Sequence, residues 1–355
     1  MSNQRLRIPQ GTEAFYLEEA YAHRELLRQF EDICSSWGYL PVQTPVFDFH
    51  DLYRGIDDET AKSSYRLVDR DGDILVLRSD ITLFLARQMG MIVQQQDLPV
   101  RVYYGDTILR HEDSNDLSKN EFFQIGAELI GTAGVEADAE IILLLLETAD
   151  GLGASTSVLH LGSRALLRES NRSEKFARAI EARKWDEASR LLADEGADPQ
   201  RIDSLIQLYR FIGTAGELRE LISESIDLQP AEREALRYLL SLADELSAVG
   251  HGDRFRIDLS EVGDRDYYSG IVFHLYDEGA DAPVASGGRY DELLGHFGAN
   301  TPSVGFSLML RRLQSQLPSA DLPRTPHPET AGSGSFRDRV RNARLLRAQG
   351  KVVRL

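Results

Sequence analysis

The chain has 355 residues, 42% of them hydrophobic and 27% charged, enough for one large domain with a smaller companion. A formal net charge of -17 argues against a broad phosphate-binding surface, and the apolar run 141–146 is far too short to cross a bilayer. The single cysteine, Cys34, excludes an intramolecular disulfide and a cysteine metal cluster; with no apolar leader in the first fifteen residues, a reducing cytoplasm is the expected compartment.

Within residues 14–37, apolar side chains fall at Leu17, Ala20, Tyr21, Leu27, Phe30, Ile33, Cys34 and Trp37, a helical spacing that Gly38 stops. A strand is expected through Tyr39, Leu40 and Val42 to Pro45, then a hairpin of residues 65–68 and 74–77 that turns at Asp71-Gly72. Two longer strands, 100–112 and 122–131, flank a polar loop, and a helix over 135–152 follows. Residues 163–250, rich in Ala, Leu, Glu and Arg with breaks at Pro199, Gly213 and Pro230, read as a helical insertion. Strands are expected again at 255–259 and 271–276, then a Gly-rich turn and short helix in 283–298 and a last helix over 306–316. The pattern predicts an α+β main domain, 1–317, with an antiparallel sheet. Residues 318–335 have the composition of a linker. The tail, 336–355, predicts an amphipathic helix with Phe336, Val340, Ala343 and Leu346 on one face, then a short strand. It holds seven Lys or Arg against one Asp, which leaves -23 on the other 335 residues. Such a tail suits an acidic partner, the acidic body of the chain itself, or RNA.

Strand residues two apart share a face. In the strand 122–131, Phe122, Gln124, Gly126 and Glu128 lie together, and Phe123, Ile125, Ala127 and Leu129 form an apolar opposite face. Pairing with the preceding strand would bring Arg110, Glu112, Gln124 and Glu128 to one surface. A cation, an amide and two carboxylates suit a zwitterionic small molecule. Polar alternation also describes an ordinary solvated sheet face.

The segment RHEDSNDLSKNEFFQIGAELIG resembles motif 2 of class II aminoacyl-tRNA synthetases in its histidyl form. YLPVQTP resembles motif 1, which helps build the dimer in that family. LRSDIT and DRDYYSGIVF resemble its two histidine motifs, and SGGRYDELL with PSVGFSLMLRRL resembles motif 3. The five stand in the family's order and cover about residues 8–160 and 253–315. The resemblance implies a class II synthetase-like fold and a histidine pocket. The positions of Asp80 and Thr82 would hold the amino group, and those of Arg110 and Gln124 would lie near the carboxylate. Those of Glu128 and Tyr268 would address the imidazole, with Tyr267 and Tyr290 lining the pocket and Gly287 and Gly288 letting the backbone approach. Arg110, Glu112, Phe122 and Arg312 match ATP-binding positions of the family.

The departures point away from tRNA charging. Gly263 stands where these synthetases carry the arginine that supports attack on the α-phosphate, with Arg265 two residues out of register. Ser118 and Asn120 replace basic residues, Asp80 replaces a longer carboxylate, and only 40 residues follow motif 3, too few for an anticodon-binding domain. ARLLRAQGKVVRL resembles one helix-strand remnant of it. A kept pocket without activation chemistry resembles the regulatory subunits of ATP phosphoribosyltransferase. That implies a non-catalytic protein of histidine biosynthesis with neither metal nor cofactor. Its partners would be L-histidine and a short-form catalytic subunit, it would be a homodimer inside a hetero-oligomer, and it would need no tRNA. A minimal histidine-activating ligase is the alternative, and a scaffold with a relic pocket is a third reading.

Overall fold

The structure, a computed structural model, describes residues 11–12, 14–57, 62–111, 120–168, 173–224, 228–263, 265–277 and 282–355. Helix α1 (Leu17–Ser36) opens with Glu18 and Glu19, which complement the positive end of its dipole, and buries Ala22, Leu26, Phe30 and Cys34 at intervals of four. The strand expected around Tyr39 shrinks to β1 (Leu40–Pro41), because Pro41 cannot extend a ladder. The expected hairpin forms as β3 (Arg66–Val68) and β4 (Ile74–Leu77), joined by β2 (Phe47–Phe49) in a three-stranded sheet. Helix α2 (Ile81–Ile92) follows, capped by Asp80.

A nine-stranded sheet runs in the order β1-β5-β6-β12-β11-β10-β7-β9-β8. Its centre is the hairpin of β5 (Val100–Leu109) and β6 (Glu121–Ile130), followed by α3 (Val135–Gly151) and β7 (Val158–Ser163). Helices α4 (Ala165–Arg168), α5 (Glu174–Glu181), α6 (Trp185–Asp194) and α7 (Pro199–Tyr209) come next. The short β8 (Ile212–Gly213) precedes α8 (Ala215–Glu224) and α9 (Pro230–Ala248). The sheet is completed by β9 (Phe255–Asp258), β10 (Ile271–Tyr276), β11 (Ala285–Arg289) and β12 (Ser303–Met309). Most pairs are antiparallel, but β1 with β5 and β7 with β9 are parallel.

Two expectations are corrected, and one strand lies where no element was expected: β7 fills the gap between the helix expected over 135–152 and the helical insertion. The Gly-rich turn of 283–298 is mostly strand β11, whose Ser286-Gly287-Gly288 pairs with both neighbours, with a 3-10 turn at Leu293–Phe297 behind it. The last helix of the domain, α10 (Leu310–Gln316), starts four residues late, because 303–309 is the buried strand β12. A continuous apolar run cannot separate strand from helix by periodicity.

Both sheet faces are covered. On one, Ile125, Ala127, Leu129, Leu159, Leu161, Phe273 and Phe306 pack with α1, α3 and the helices of 165–248. On the other, Val102, Tyr104, Phe122, Tyr268, Val272 and Tyr290 pack under α2 and leave a cleft. Residues 318–327 do not hang free: Leu322 packs on the main core, and Thr325 N donates to Glu18 Oε2 at 3.0 Å. β13 (Glu329–Thr330), α11 (Phe336–Ala348) and β14 (Val353–Arg354) form a small parallel unit closed by Ala331, Ala343 and Val353. Among the described residues no helix is long and apolar enough to cross a membrane.

Candidate functional site

The cleft holds a cavity of about 180 Å³, the scale of one small metabolite and below the range of drug-sized pockets. Asp80, Thr82, Arg110, Gln124, Glu128, Tyr267, Tyr268, Tyr290 and Arg312 all line it. Phe122 lies under the Arg110 guanidinium, 5.0 Å from ring centroid to Cζ, rather than on the cavity wall. Glu112 and Ser118 lie outside the described residues.

The β5–β6 register explains the convergence. Gln124 pairs with Asp106, Gly126 with Tyr104 and Glu128 with Val102, so the polar face of β6 looks into the cleft. That face is not solvated: Gln124 is 1% exposed and Glu128 is fully buried. Burial of this kind is tolerated only with partners. Glu128 Oε1 accepts from Thr82 Oγ1 at 2.8 Å and Tyr104 OH at 3.2 Å, and Oε2 accepts from Tyr290 OH. Gln124 Oε1 accepts from the Ile81 amide at 3.2 Å, which fixes the start of α2 against β6.

Gly305 is what allows Glu128 to sit there. The two are paired across β6 and β12, and a Cβ on Gly305 would lie 1.4 Å from Glu128 Oε2. Gly287 lines the cavity as expected, whereas a Cβ on Gly288 would meet the Tyr268 ring at 2.8 Å, so Gly288 seats that ring.

Desolvation pushes the Glu128 carboxyl up to about 8, Asp80 adds to the rise, and the hydroxyls of Tyr290, Thr82 and Tyr104 oppose it. Tyr104, Tyr267 and Tyr290 are likewise raised by burial, so all three are hydroxyl donors at neutral pH. The folded chain therefore holds a proton at Glu128 that the unfolded chain releases above about 4.5. The associated stability is full below that pH, falls as pH climbs to about 8, and is then flat. Its size is on the order of 4–5 kcal/mol. Denaturation midpoints at pH 5 and pH 8.5 are expected to converge in Glu128→Gln, which cannot ionise, and this variant is expected to be the more stable protein at pH 8.5.

Asp80 is spoken for on both oxygens. Oδ1 caps α2 by accepting from the Leu83 amide at 3.0 Å, and Oδ2 lies 3.8 Å from Arg265 Nη2. Arg265 also reaches the buried Asp57 at 3.8 Å. An ammonium entering the cavity would share Asp80 with Arg265. Arg312 donates to the Pro283 carbonyl at 2.8 Å, which holds it on the opposite wall.

Gly263 is buried with φ +83, and a Cβ there would lie 2.7 Å from Tyr268 Cδ2. The backbone at this position thus favours glycine, and a longer side chain would collide with the pocket ring. Sequence reasoning missed His274 and Arg78. His274 lines the cavity; its signal was one imidazole alternating out of the apolar strand 271–276. Arg78, 2% exposed, donates to the carbonyls of Thr44 and Thr107 and pairs with Asp106 at 2.8 Å, so the conspicuous cation of LRSDIT is structural.

Residues 11–313 match the family model described as histidyl-tRNA synthetase. An ATP phosphoribosyltransferase regulatory subunit of Desulfitobacterium hafniense is 30% identical, over 99% of this chain and 91% of that protein. Another, from Moorella thermoacetica, is 33% identical over 88% of this chain and 82% of that one. A crystal structure described as an ATP phosphoribosyltransferase regulatory subunit/histidyl-tRNA synthetase from Bacillus halodurans superimposes with a TM-score of 0.82 at 25% identity. It covers 98% of this chain and 92% of that one.

Proposed function

We propose, because the chain belongs to the family of ATP phosphoribosyltransferase regulatory subunits on the class II synthetase-like α+β fold, that its cleft binds free L-histidine and reports it to a catalytic partner. The observation that carries this reading is the buried Glu128, held by three hydroxyls in the cavity that Asp80 and Arg110 also line. Asp80 and Thr82 suit the ammonium, Arg110 and Gln124 the carboxylate, and Glu128 with Tyr268 the two imidazole nitrogens. A Glu128 carboxyl near 8 and a free imidazole near 6.5 can share one proton at neutral pH without exchanging any with solvent. Tyr267 and Tyr290 close the sides.

Histidine shifts the partner only by its differential affinity for two arrangements of the complex, typically about 1–3 kcal/mol. The partner is a short-form catalytic subunit that needs this chain for activity and, through it, obeys feedback inhibition in the cytoplasm. Co-expression with such a subunit, assayed with and without histidine, tests this directly. Calorimetry that finds no histidine bound to the assembled complex would end the proposal.

The chain acts as a homodimer on this reading. Leu40, Val46, Phe47, Phe49, Val68 and Ile74, all exposed, lie on and beside the β2–β4–β3 sheet next to the motif 1-like segment. Exposed apolar groups of this density mark an association face. Phe47→Asp is expected to convert dimer to monomer in light scattering at micromolar concentration, with the circular dichroism unchanged.

A ligase reading draws support from Arg110 stacked on Phe122 and from Arg312 on the same cavity. Histidine-dependent ATP–pyrophosphate exchange separates it from the regulatory reading, which also needs no tRNA.

A further inference from the structure

Asp57 stands where the chain has just turned. The 3-10 turn His50–Tyr53 ends, Gly55 takes a left-handed φ of +76, and the Ile56 amide donates to the Tyr53 carbonyl at 3.3 Å. The Asp57 carboxylate that follows is buried, and it does not line the cleft cavity. It lies behind that cavity, beside Ser79, Leu83 and Phe84 at the start of α2. A buried carboxylate persists only among charged or hydrogen-bonding neighbours, and the Arg265 guanidinium is one of them.

Arg265 forks between two carboxylates. Its Nη1 lies 3.8 Å from Asp57 Oδ2, and its Nη2 lies 3.8 Å from Asp80 Oδ2. Both separations exceed a direct hydrogen bond, so the guanidinium is docked tightly on neither carboxylate. The three charges act on one part of the cavity wall. Burial raises the Tyr267 hydroxyl most, Asp80 and Asp57 add to the rise, and Arg265 opposes it. Asp80 Oδ1 is committed to the Leu83 amide, so Oδ2 is the oxygen that an incoming cation meets. Drawn toward Asp57, Arg265 leaves Oδ2 open. Released from Asp57, it fills the place of an ammonium.

We infer that Asp57 is a positioning residue for ligand selectivity: it draws Arg265 off Asp80 and so lets the cavity prefer an amino acid to the same acid without its amino group. The inference rests on the histidine reading and adds a residue to it from outside the cavity. With Asp57 in place, guanidinium and ammonium each have a carboxylate as nearest neighbour. Without it, both cations compete for Asp80 Oδ2, and the one tethered to the protein prevails through its effective concentration. The deaminated acid, 3-(imidazol-4-yl)propionate, carries no ammonium and is blind to that competition.

Calorimetric titration of the whole chain with L-histidine and with 3-(imidazol-4-yl)propionate tests the assignment. Asp57→Asn is expected to weaken histidine binding about tenfold and to leave the deaminated acid within about threefold of its wild-type affinity, a coupling of the size found within one charge network. Arg265→Gln, at a half-buried position, is expected to raise the preference for histidine over the acid by about threefold or more. In that background, Asp57→Asn is expected to have no further effect. An equal loss of both ligands in Asp57→Asn, or a loss that persists in the double variant, makes Asp57 a structural residue only and overturns the assignment. Should Asp57→Asn fail to fold, Arg265→Gln decides, and a histidine preference that falls or stays unchanged is the overturning result. A wild-type chain that binds neither ligand removes the histidine reading and this role of Asp57 with it. Unaltered selectivity in variants that still bind histidine removes the role of Asp57 alone.

Discussion

Replacement of Gly305 by alanine is expected to weaken histidine binding by about tenfold to a hundredfold. A Cβ at this position would lie 1.4 Å from Glu128 Oε2 and 2.8 Å from the Ala127 carbonyl. The strand carbonyl is fixed by its ladder, so the carboxylate must leave. Its departure breaks the contact with Tyr290 and moves the acceptor away from Thr82. It also removes the group that shares a proton with the ligand's imidazole, a bond of charge-assisted character once that proton moves. A hydrogen bond to a charged group is worth about 1.5–3 kcal/mol, and each 1.4 kcal/mol is a factor of ten. The strain of overpacking is expected to cost a further 1–3 kcal/mol of stability, visible in denaturation. In the assembled complex, the inhibition curve is expected to move to higher histidine by the same factor. Wild-type affinity in Gly305→Ala would mean that Glu128 does not anchor the imidazole, and the sensing proposal would fall with it.

How far the sequence led is clear from particular elements. The long hairpin was legible because β6 alternates polar and apolar residues and a polar loop separates it from β5, and Gln124 and Glu128, four apart, share one face of β6. What alternation could not say was whether that face met water. That was decided by α2 and by Tyr268, Tyr290, Leu293 and Leu294, which pack over it. The α+β class followed from element order, but β7 and β12 escaped because strands buried on both faces lose their period-two signal. Asp80 was read from a motif as a ligand contact. Its second role as the cap of α2, and its neighbour Arg265, emerge only when residues 57, 80 and 265 meet in space. Arg78 shows the converse, a cation beside the pocket motif that folding spends on backbone carbonyls.

The chain is expected to support histidine-dependent ATP–pyrophosphate exchange at a rate a hundredfold to a thousandfold below that of a histidyl-tRNA synthetase, and Gly263→Arg is expected not to restore it. Loss of one cation that stabilises developing charge typically costs about 3–4 kcal/mol of barrier. Simple replacement fails here for a local reason. At φ +83 a branched-free but Cβ-bearing residue costs about 1–2 kcal/mol, and its Cβ would press on Tyr268 at 2.7 Å and on Val272 at 3.1 Å. The introduced side chain would push the Tyr268 ring off Gly288 rather than reach toward a phosphate. Histidine affinity is therefore expected to fall at least tenfold in this variant, so the substitution damages sensing without creating catalysis. Arg265 does not substitute, because it is engaged by Asp57 and Asp80 at 3.8 Å each. Exchange measured with saturating histidine and ATP checks both statements. Exchange by the wild-type chain at an ordinary synthetase rate would show that the cation is supplied elsewhere, and the ligase reading would displace the regulatory one.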